Sequence, residues 1–340
     1  MNSVVADPLP ADVVAGRSSV LRARIWAIAA KYGTVIVLIA MAVLFSIEMP
    51  TVFLSTTNFT NVLAQISLTA IIAGGVTLVL VVGEFDMSIG YNASLAGILV
   101  VGFMHNQGLS EPIAIVSVLI IGSMIGLVNG VLVTKLGVNA LIATLGSGTM
   151  LVGVNYFYAN GVPIALGPNQ SAAFTHIALG RDLLGIPNPI VFMVVIMVAL
   201  WVILNQTDLG QHMQAVGGNR EAATLSGISV DRTKIAAFII AGLCAAITGV
   251  LLSSRIGNGY VSAGDAYLLS SFAAVFLGSA ALRDGQFHII GTFLGVLTVG
   301  VGFNGLALAG TPTFIQFLFQ GGLLVAAVAL NTVGRRQARL

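Results

Sequence analysis

The sequence predicts an all-α, polytopic membrane protein of about ten transmembrane helices, some of them broken or re-entrant, with both termini in the cytoplasm. Three observations carry this. Apolar residues make up 57% of the 340-residue chain, charged residues only 8%, and the mean hydropathy is +1.01. A soluble domain carries about 25% charged residues, so this chain cannot cover a soluble surface and uses lipid as its solvent. The apolar residues also fall into ten runs near the ~20 residues that a helix needs to cross the hydrocarbon. Finally, the basic residues sort to one side of those runs.

In order, the runs are 32–50, 61–82, 88–105, 112–134, 139–160, 188–204, 233–254, 264–281, 287–310 and 313–331. The third and eighth are short and interrupted by Gly or Ser, as broken or re-entrant segments are. No period-two alternation supports a barrel. Backbone polar groups in lipid must be satisfied within their own segment, so helices are the default. With the N-terminus inside, Arg17, Arg22, Arg24, Lys31, Lys135, Arg220, Arg232, Lys234, Arg283, Arg335, Arg336 and Arg339 are cytoplasmic. Only Arg181 and Arg255 lie outside, which places twelve of the fourteen basic residues inside. Removing one run would carry the cationic C-terminus outside, so the count and the orientation support each other.

Residues 1–30 read as a retained cytoplasmic tail, because no small-residue cleavage site follows the first apolar run. Residues 31–334 read as one membrane domain, and 335–340 as a second cytoplasmic tail. The longest outer loop, 161–187, is rich in Gly, Pro and Asn and has room for a short surface helix. Within the membrane domain, the polar stretch 205–234 stands apart. Gly217-Gly218 breaks the chain there, Asn219 is placed to cap a short helix through Arg220–Leu225, and Gly227 to stop it. A capped helix on a cytoplasmic loop reads as a docking element.

Several function classes are excluded. A net charge of +2 implies no nucleic-acid partner. The single Cys244 allows no internal disulfide and no cysteine metal cluster. The four histidines, His105, His176, His212 and His288, have no ligand spacing, so no metal site is expected. There is no nucleophile elbow, and no Lys sits in a Gly-Lys-Ser/Thr phosphate loop. The chain therefore reads as neither an enzyme nor a cofactor protein, and energy for active transport would come from another subunit.

Forty glycines favour close helix packing. Gly122, Gly126 and Gly130 share one face of the fourth run with Asn129, and Gly291 and Gly295 repeat the pattern in the ninth. Asn129 fits either helix–helix bonding or the lining of a polar pathway. Asp86, beside Ser88 at the inner turn 83–90, fits either a cap for the third helix or a turn whose geometry matters for gating. Asn61, Gln65, Asn92, Asn129, Thr144, Asn155, Asn304 and Gln316 place uncharged amides and hydroxyls in or beside spans. Such groups suit a polyhydroxyl solute, although each can equally bond a neighbouring helix. Asp86, Ser88, Asn92, Asn129, Thr144 and Asn304 are the gating or pathway candidates. An ion-driven carrier places carboxylates mid-membrane, and none falls there.

Three motifs bring a family into view. Residues 215–255, AVGGNREAATLSGISVDRTKIAAFIIAGLCAAITGVLLSSR, carry a glycine pair, Asn, an alanine pair and Ser-Gly-Ile ahead of a span ending in Arg. Residues 83–90 read GEFDMSIG, and residues 139–154 read NALIATLGSGTMLVGV. Together they resemble the permease subunits of ABC importers of the ribose/xylose/galactose class, over about residues 30–335.

The resemblance implies a bacterial inner-membrane permease that forms a pathway for a monosaccharide or related polyol. Its implied partners are a second permease subunit (a homodimer), a cytoplasmic ABC ATPase that supplies the ATP hydrolysis, an extracytoplasmic solute-binding protein, and the lipid bilayer. The loop 205–234 would hold the ATPase-coupling helix, with Gly218, Asn219, Glu221, Ala222, Ala223 and Gly227 carried over by motif position. Arg220 and Glu221 would make rim ion pairs. The chain departs from the family pattern at Glu84, which replaces a glycine, at Arg283-Asp284, and at GDAYLLSS, which replaces Gly-Tyr-Glu-Leu. The rival reading is a stand-alone secondary transporter or facilitator for a small polar solute, and a third is a structural membrane scaffold.

Overall fold

The computed structural model describes residues 32–279 and 285–337. The tail 1–30, Arg283-Asp284 and residues 338–340 lie outside that description. Helices dominate. They are α1 (Tyr32–Glu48), α2 (Pro50–Phe53), α3 (Thr56–Val81), α4 (Ile89–His105), α5 (Glu111–Thr134), α6 (Ala140–Ala159), α7 (Pro168–Leu179), α8 (Asn188–Gln206), α9 (Asp208–Gly218), α10 (Arg220–Leu225), α11 (Val230–Ile256), α12 (Ala266–Ser279), α13 (Ile289–Leu308) and α14 (Thr313–Gln337). By length and composition, α3, α5, α6, α8, α11 and α13 can cross a membrane. Four more, α1, α4, α12 and the first part of α14, are apolar but shorter. The fold is all-α and polytopic.

Local chemistry sets many of the ends. Ser55 Oγ accepts from the Asn58 N–H and caps α3, and Asn139 Oδ1 accepts from Leu141 N–H and caps α6. His288 Nδ1 accepts from Gly291 N–H at the start of α13. Such caps satisfy donors that a helix start leaves unpaired. The 161–187 loop carries the short helix expected there, α7. Strand β1 (Ile164–Ala165) pairs antiparallel with β2 (Asn258–Gly259), tying that loop to the segment after α11.

Two helices form the centre. In its most apolar window α3 is 78% buried, and α11 is 67% buried. They run antiparallel, with Gly75 against Ala241 and Cys244. The glycine face of α5 packs on α11: a side chain at Gly126 would strike the Phe238 carbonyl, and Gly122 faces Gly242 and Ala246. The shorter pattern does the same between α13 and α12, where Gly291 meets Gly278 and Gly295 meets Ala274. Close backbone approach through small residues is the packing available where lipid removes the hydrophobic drive between helices.

The two short helices begin beside one another. At the start of α4, Gly90 lies against the carbonyls of Gly264 and Asp265, just ahead of α12. Ser94 Oγ donates to Asp265 Oδ1 at 2.6 Å and accepts from Gly264 N–H at 2.8 Å. Both helices are thus preceded by irregular backbone, the 82–88 turn and the 257–265 segment. Irregular backbone of this kind is tolerated only where protein or water satisfies it.

Candidate functional site

The docking element expected in 205–234 is built from α9, α10 and the start of α11. Thr207 caps α9, its Oγ1 accepting from Gly210 N–H. Met213 and Val216 turn the apolar side of α9 inward. The two glycines do not break this helix: both lie in its last turn, and the break comes at Asn219, whose backbone is extended (φ −156°, ψ 107°). Gly217 instead permits contact. A Cβ there would overlap the Val81 carbonyl oxygen at the end of α3, whereas one at Gly218 would meet nothing within 4 Å.

Asn219 caps α10 as expected, its Oδ1 accepting from Ala222 N–H at 3.0 Å. Gly227 ends the turn at φ +81°, in the left-handed region that favours glycine. Between them, α10 stands out from the body. Arg220, Glu221 and Ala222 are exposed and only Ala223 is buried. Among the described residues, Arg220 and Glu221 form no ion pair. Leu225 is 89% exposed. Sequence reasoning did not single it out, since a leucine at the end of a short helix reads as core; the signal was that the helix is too short to bury both Ala223 and Leu225.

The remaining candidates divide into a cluster and two separate positions. In the 82–88 turn, Asp86 Oδ1 accepts from the Ser88 N–H (2.9 Å) and from Ser88 Oγ (2.5 Å). Ser88 Oγ accepts in turn from Asn129 Nδ2 of α5 at 2.8 Å. The next strap is Thr144 of α6, whose Oγ1 accepts from Met87 N–H at 2.9 Å. Asp86, Ser88, Asn129 and Thr144 are all buried. Asp86 therefore closes an Asx turn that ends at Ser88, directly ahead of α4, and the face of α5 that packs on α11 also reaches the turn.

Asn92 sits apart, its Nδ2 donating to the carbonyls of Gly122 and Gly242 at 3.2 and 3.3 Å. Asn304 is distant from both, in a reciprocal amide pair with Asn58 of α3 (2.9 and 3.1 Å). Among the described residues, the buried oxygens Asn92 Oδ1, Asn129 Oδ1 and Asn155 Oδ1 have no hydrogen-bond partner.

Glu84 joins the turn to the start of α11. Its carboxylate pairs with Lys234 Nζ on the first turns of α11, and the two side chains are only 18% and 10% exposed. A second pair, Lys135 with Asp231 at 2.7 Å, ties the end of α5 to the same place. Among the described residues no cluster of His, Cys, Asp or Glu has the makings of a metal site.

The fold and this constellation can be set beside known proteins. A family model described as a branched-chain amino acid transport system / permease component matches residues 58–328. The chain belongs to this permease family. It is 38% identical over 303 residues to the ribose import permease protein of Bacillus subtilis (strain 168), spanning 88% of this chain and 92% of that one. It is 30% identical over 301 residues to the D-allose transport system permease protein of Escherichia coli K12, covering 88% and 91% of the two chains. It is 32% identical over 318 residues to the L-arabinose ABC transporter permease protein of Azospirillum brasilense, covering 94% and 92%. No solved structure matches. The permease is a multi-pass protein of the bacterial inner membrane, and its relatives carry the sugar-importer names that the motifs at 83–90, 139–154 and 215–255 suggested.

Proposed function

We propose that the permease is the transmembrane subunit of an ATP-binding-cassette importer for a monosaccharide or related polyol. It crosses the membrane ten times with both termini inside, works as a dimer, receives solute from an extracytoplasmic binding protein, and couples to a separate cytoplasmic ATPase through α10. Similarity over most of the chain to ribose, allose and arabinose permeases supports the solute class. The observation that carries the coupling assignment is α10 itself: capped at Asn219, stopped at Gly227, and presenting Arg220, Glu221, Ala222 and Leu225 outward. A helix of six residues gains little stability alone, so a fixed exposed one is a surface to be received. In this reading Leu225 is the apolar anchor in the ATPase groove, and Arg220 and Glu221 are the rim charges.

ATP binding would move α10, and the permease pair would exchange inward- and outward-facing states, each biased by its partners. The strapped turn at Asp86, Ser88, Asn129 and Thr144 would be the inner gate. Asn92, buried between three helices, would hold the gate helix α4 in place, and Asn304 would hold α3 to α13. To test this, the permease is reconstituted with its ATPase and binding protein, and Glu221→Arg, Ala222→Trp and Leu225→Asp are compared with the unmodified protein. Solute-stimulated ATP hydrolysis and uptake should fall at least tenfold in all three. Unchanged coupling would sink the assignment. Uptake from an ion gradient with no ATPase would favour the stand-alone carrier.

A further inference from the structure

One face of α3 is out of character for a helix in lipid. Thr57, Asn61, Gln65 and Thr69 recur every four residues, so they form one ridge about 18 Å long. Thr57, Asn61 and Gln65 are exposed and Thr69 is half-buried. Neither Asn61 nor Gln65 has a side-chain hydrogen bond among the described residues. Gln65 lies about 14 Å along the helix from Thr56, roughly half of the ~30 Å hydrocarbon thickness. An amide left unbonded in an apolar medium costs about 2–7 kcal/mol. The outer faces of α5 and α6 show what lipid accepts here, with Ile113, Ile120, Met124, Ile142, Met150 and Phe157 exposed and apolar.

The ridge borders a cleft of about 340 Å³, within the size range of small-molecule sites. Gln65 and Thr69 lie on one wall, Tyr267 and Ser270 of α12 on another, and Phe303 of α13 closes a third. Ser270 Oγ is held by Gln320 Nε2 of α14 at 2.8 Å. No charged side chain lines the cleft. Amides and hydroxyls that both donate and accept, set beside aromatic rings, match a neutral polyhydroxylated ring. They supply no fixed charge to hold an ion.

We propose that the Asn61–Gln65–Thr69 ridge, with Tyr267 and Ser270, is the wet, solute-contacting wall of the transport pathway and takes a neutral monosaccharide ring. The solute class rests on the importer reading; the wetness of the wall does not. In a Cys244→Ala background, Gln65→Cys, Ser270→Cys and the lipid-face control Ile120→Cys are exposed in membranes to a membrane-impermeant cationic methanethiosulfonate. Gln65→Cys and Ser270→Cys should react at least tenfold faster than Ile120→Cys. Equal rates would overturn the proposal. So would spontaneous disulfide-linked dimers of Gln65→Cys that resist the reagent, which would make the ridge a dry seam between two copies. Should Gln65→Cys fail to insert, Thr69→Cys, one turn deeper, carries the same comparison.

A second arm measures uptake of ribose, arabinose and allose with the ATPase and binding protein present. There Gln65→Leu should lower uptake at least tenfold while the permease is recovered as a folded dimer in the same yield as the unmodified protein. Unchanged uptake would overturn the solute-contact role. If the unmodified permease imports none of the three, the importer reading fails, and the labelling result stands by itself.

Discussion

Gly217→Ala and Gly218→Ala should act in opposite directions although the residues are neighbours in one helical turn. In a helix, alanine is intrinsically favoured over glycine by about 1 kcal/mol. At Gly218 nothing opposes that gain, because a methyl group there meets no atom within 4 Å. At Gly217 the methyl would overlap the Val81 carbonyl oxygen, a backbone atom with no rotamer to yield. Forced overpacking costs about 1–3 kcal/mol, occasionally more, and here it falls on the backbone. The expected net effects are a loss of about 0–2 kcal/mol for Gly217→Ala and a gain of up to ~1 kcal/mol for Gly218→Ala. Thermal unfolding of the isolated permease in detergent measures both without the ATPase, so docking does not enter. In the reconstituted importer, Gly217→Ala should also weaken coupling, because it lifts α9 off the end of α3. A Gly217→Ala protein at least as stable as the Gly218→Ala protein would refute the claim that this close approach requires glycine.

Three further expectations follow from the same reasoning. Glu84→Gln leaves Lys234 nearly buried without its counter-charge. Since loss of one partner costs about 3–5 kcal/mol when fully buried and ~0–1 when exposed, about 1–3 kcal/mol is expected for this 10–18% exposed pair, and adding Lys234→Met should recover part of it in a double-mutant cycle. Gly126→Ala should destabilise by about 1–3 kcal/mol through the Phe238 carbonyl, whereas Gly146→Ala, with open space around it, should not; unfolding midpoints decide. Between α7 and α8, the hydrogen bond from Asn188 and then the bond to His176 hold the Asp182 carboxyl below its ordinary pKa. A depressed folded pKa stabilises above the unfolded value of about 3.9 and is lost as pH falls through the folded one. Amide-exchange protection across 180–188 should therefore drop below about pH 4, and Asp182→Asn should remove that step.

Features governed by neighbours in the chain were readable from the sequence. Asn219 and Gly227 bracket α10 because an amide acceptor and a residue free to adopt positive φ are local requirements. The short helices α4 and α12 showed as glycine- and serine-interrupted runs for the same reason. What depends on folding did not show. Glu84 is 150 residues from Lys234, so it stood out only as a departure at a position where the family pattern has glycine. Asn58 drew no notice beside Asn304, 246 residues away, because an asparagine near a helix start reads as a cap. Gly217 looked like a chain break because glycine is used both for unusual backbone angles and for close approach, and only the position of Val81 separates the two.

The packing where α3 ends and α10 begins then shows how motion of a six-residue helix would reach the 82–88 turn. Two routes leave α10. One runs back through α9 and ends where Gly217 meets the Val81 carbonyl, backbone against backbone. The other runs forward into α11 and ends at Lys234 and Glu84. Both arrive within four residues of each other, at the end of α3 and in the turn that Asn129 and Thr144 strap to α5 and α6. The routes differ in stiffness. A backbone contact has no rotamer slack, so a displacement of α9 is passed on whole, as packed interiors transmit strain. A lysine on a four-carbon stem absorbs part of any movement before its charge separates. If α10 couples to an ATPase as proposed, the glycine contact would be the drive and the ion pair the tether, holding the turn in register with α11 while α9 pushes. On that proposal Glu84, which departs from the family pattern, would tune how far the turn follows α10.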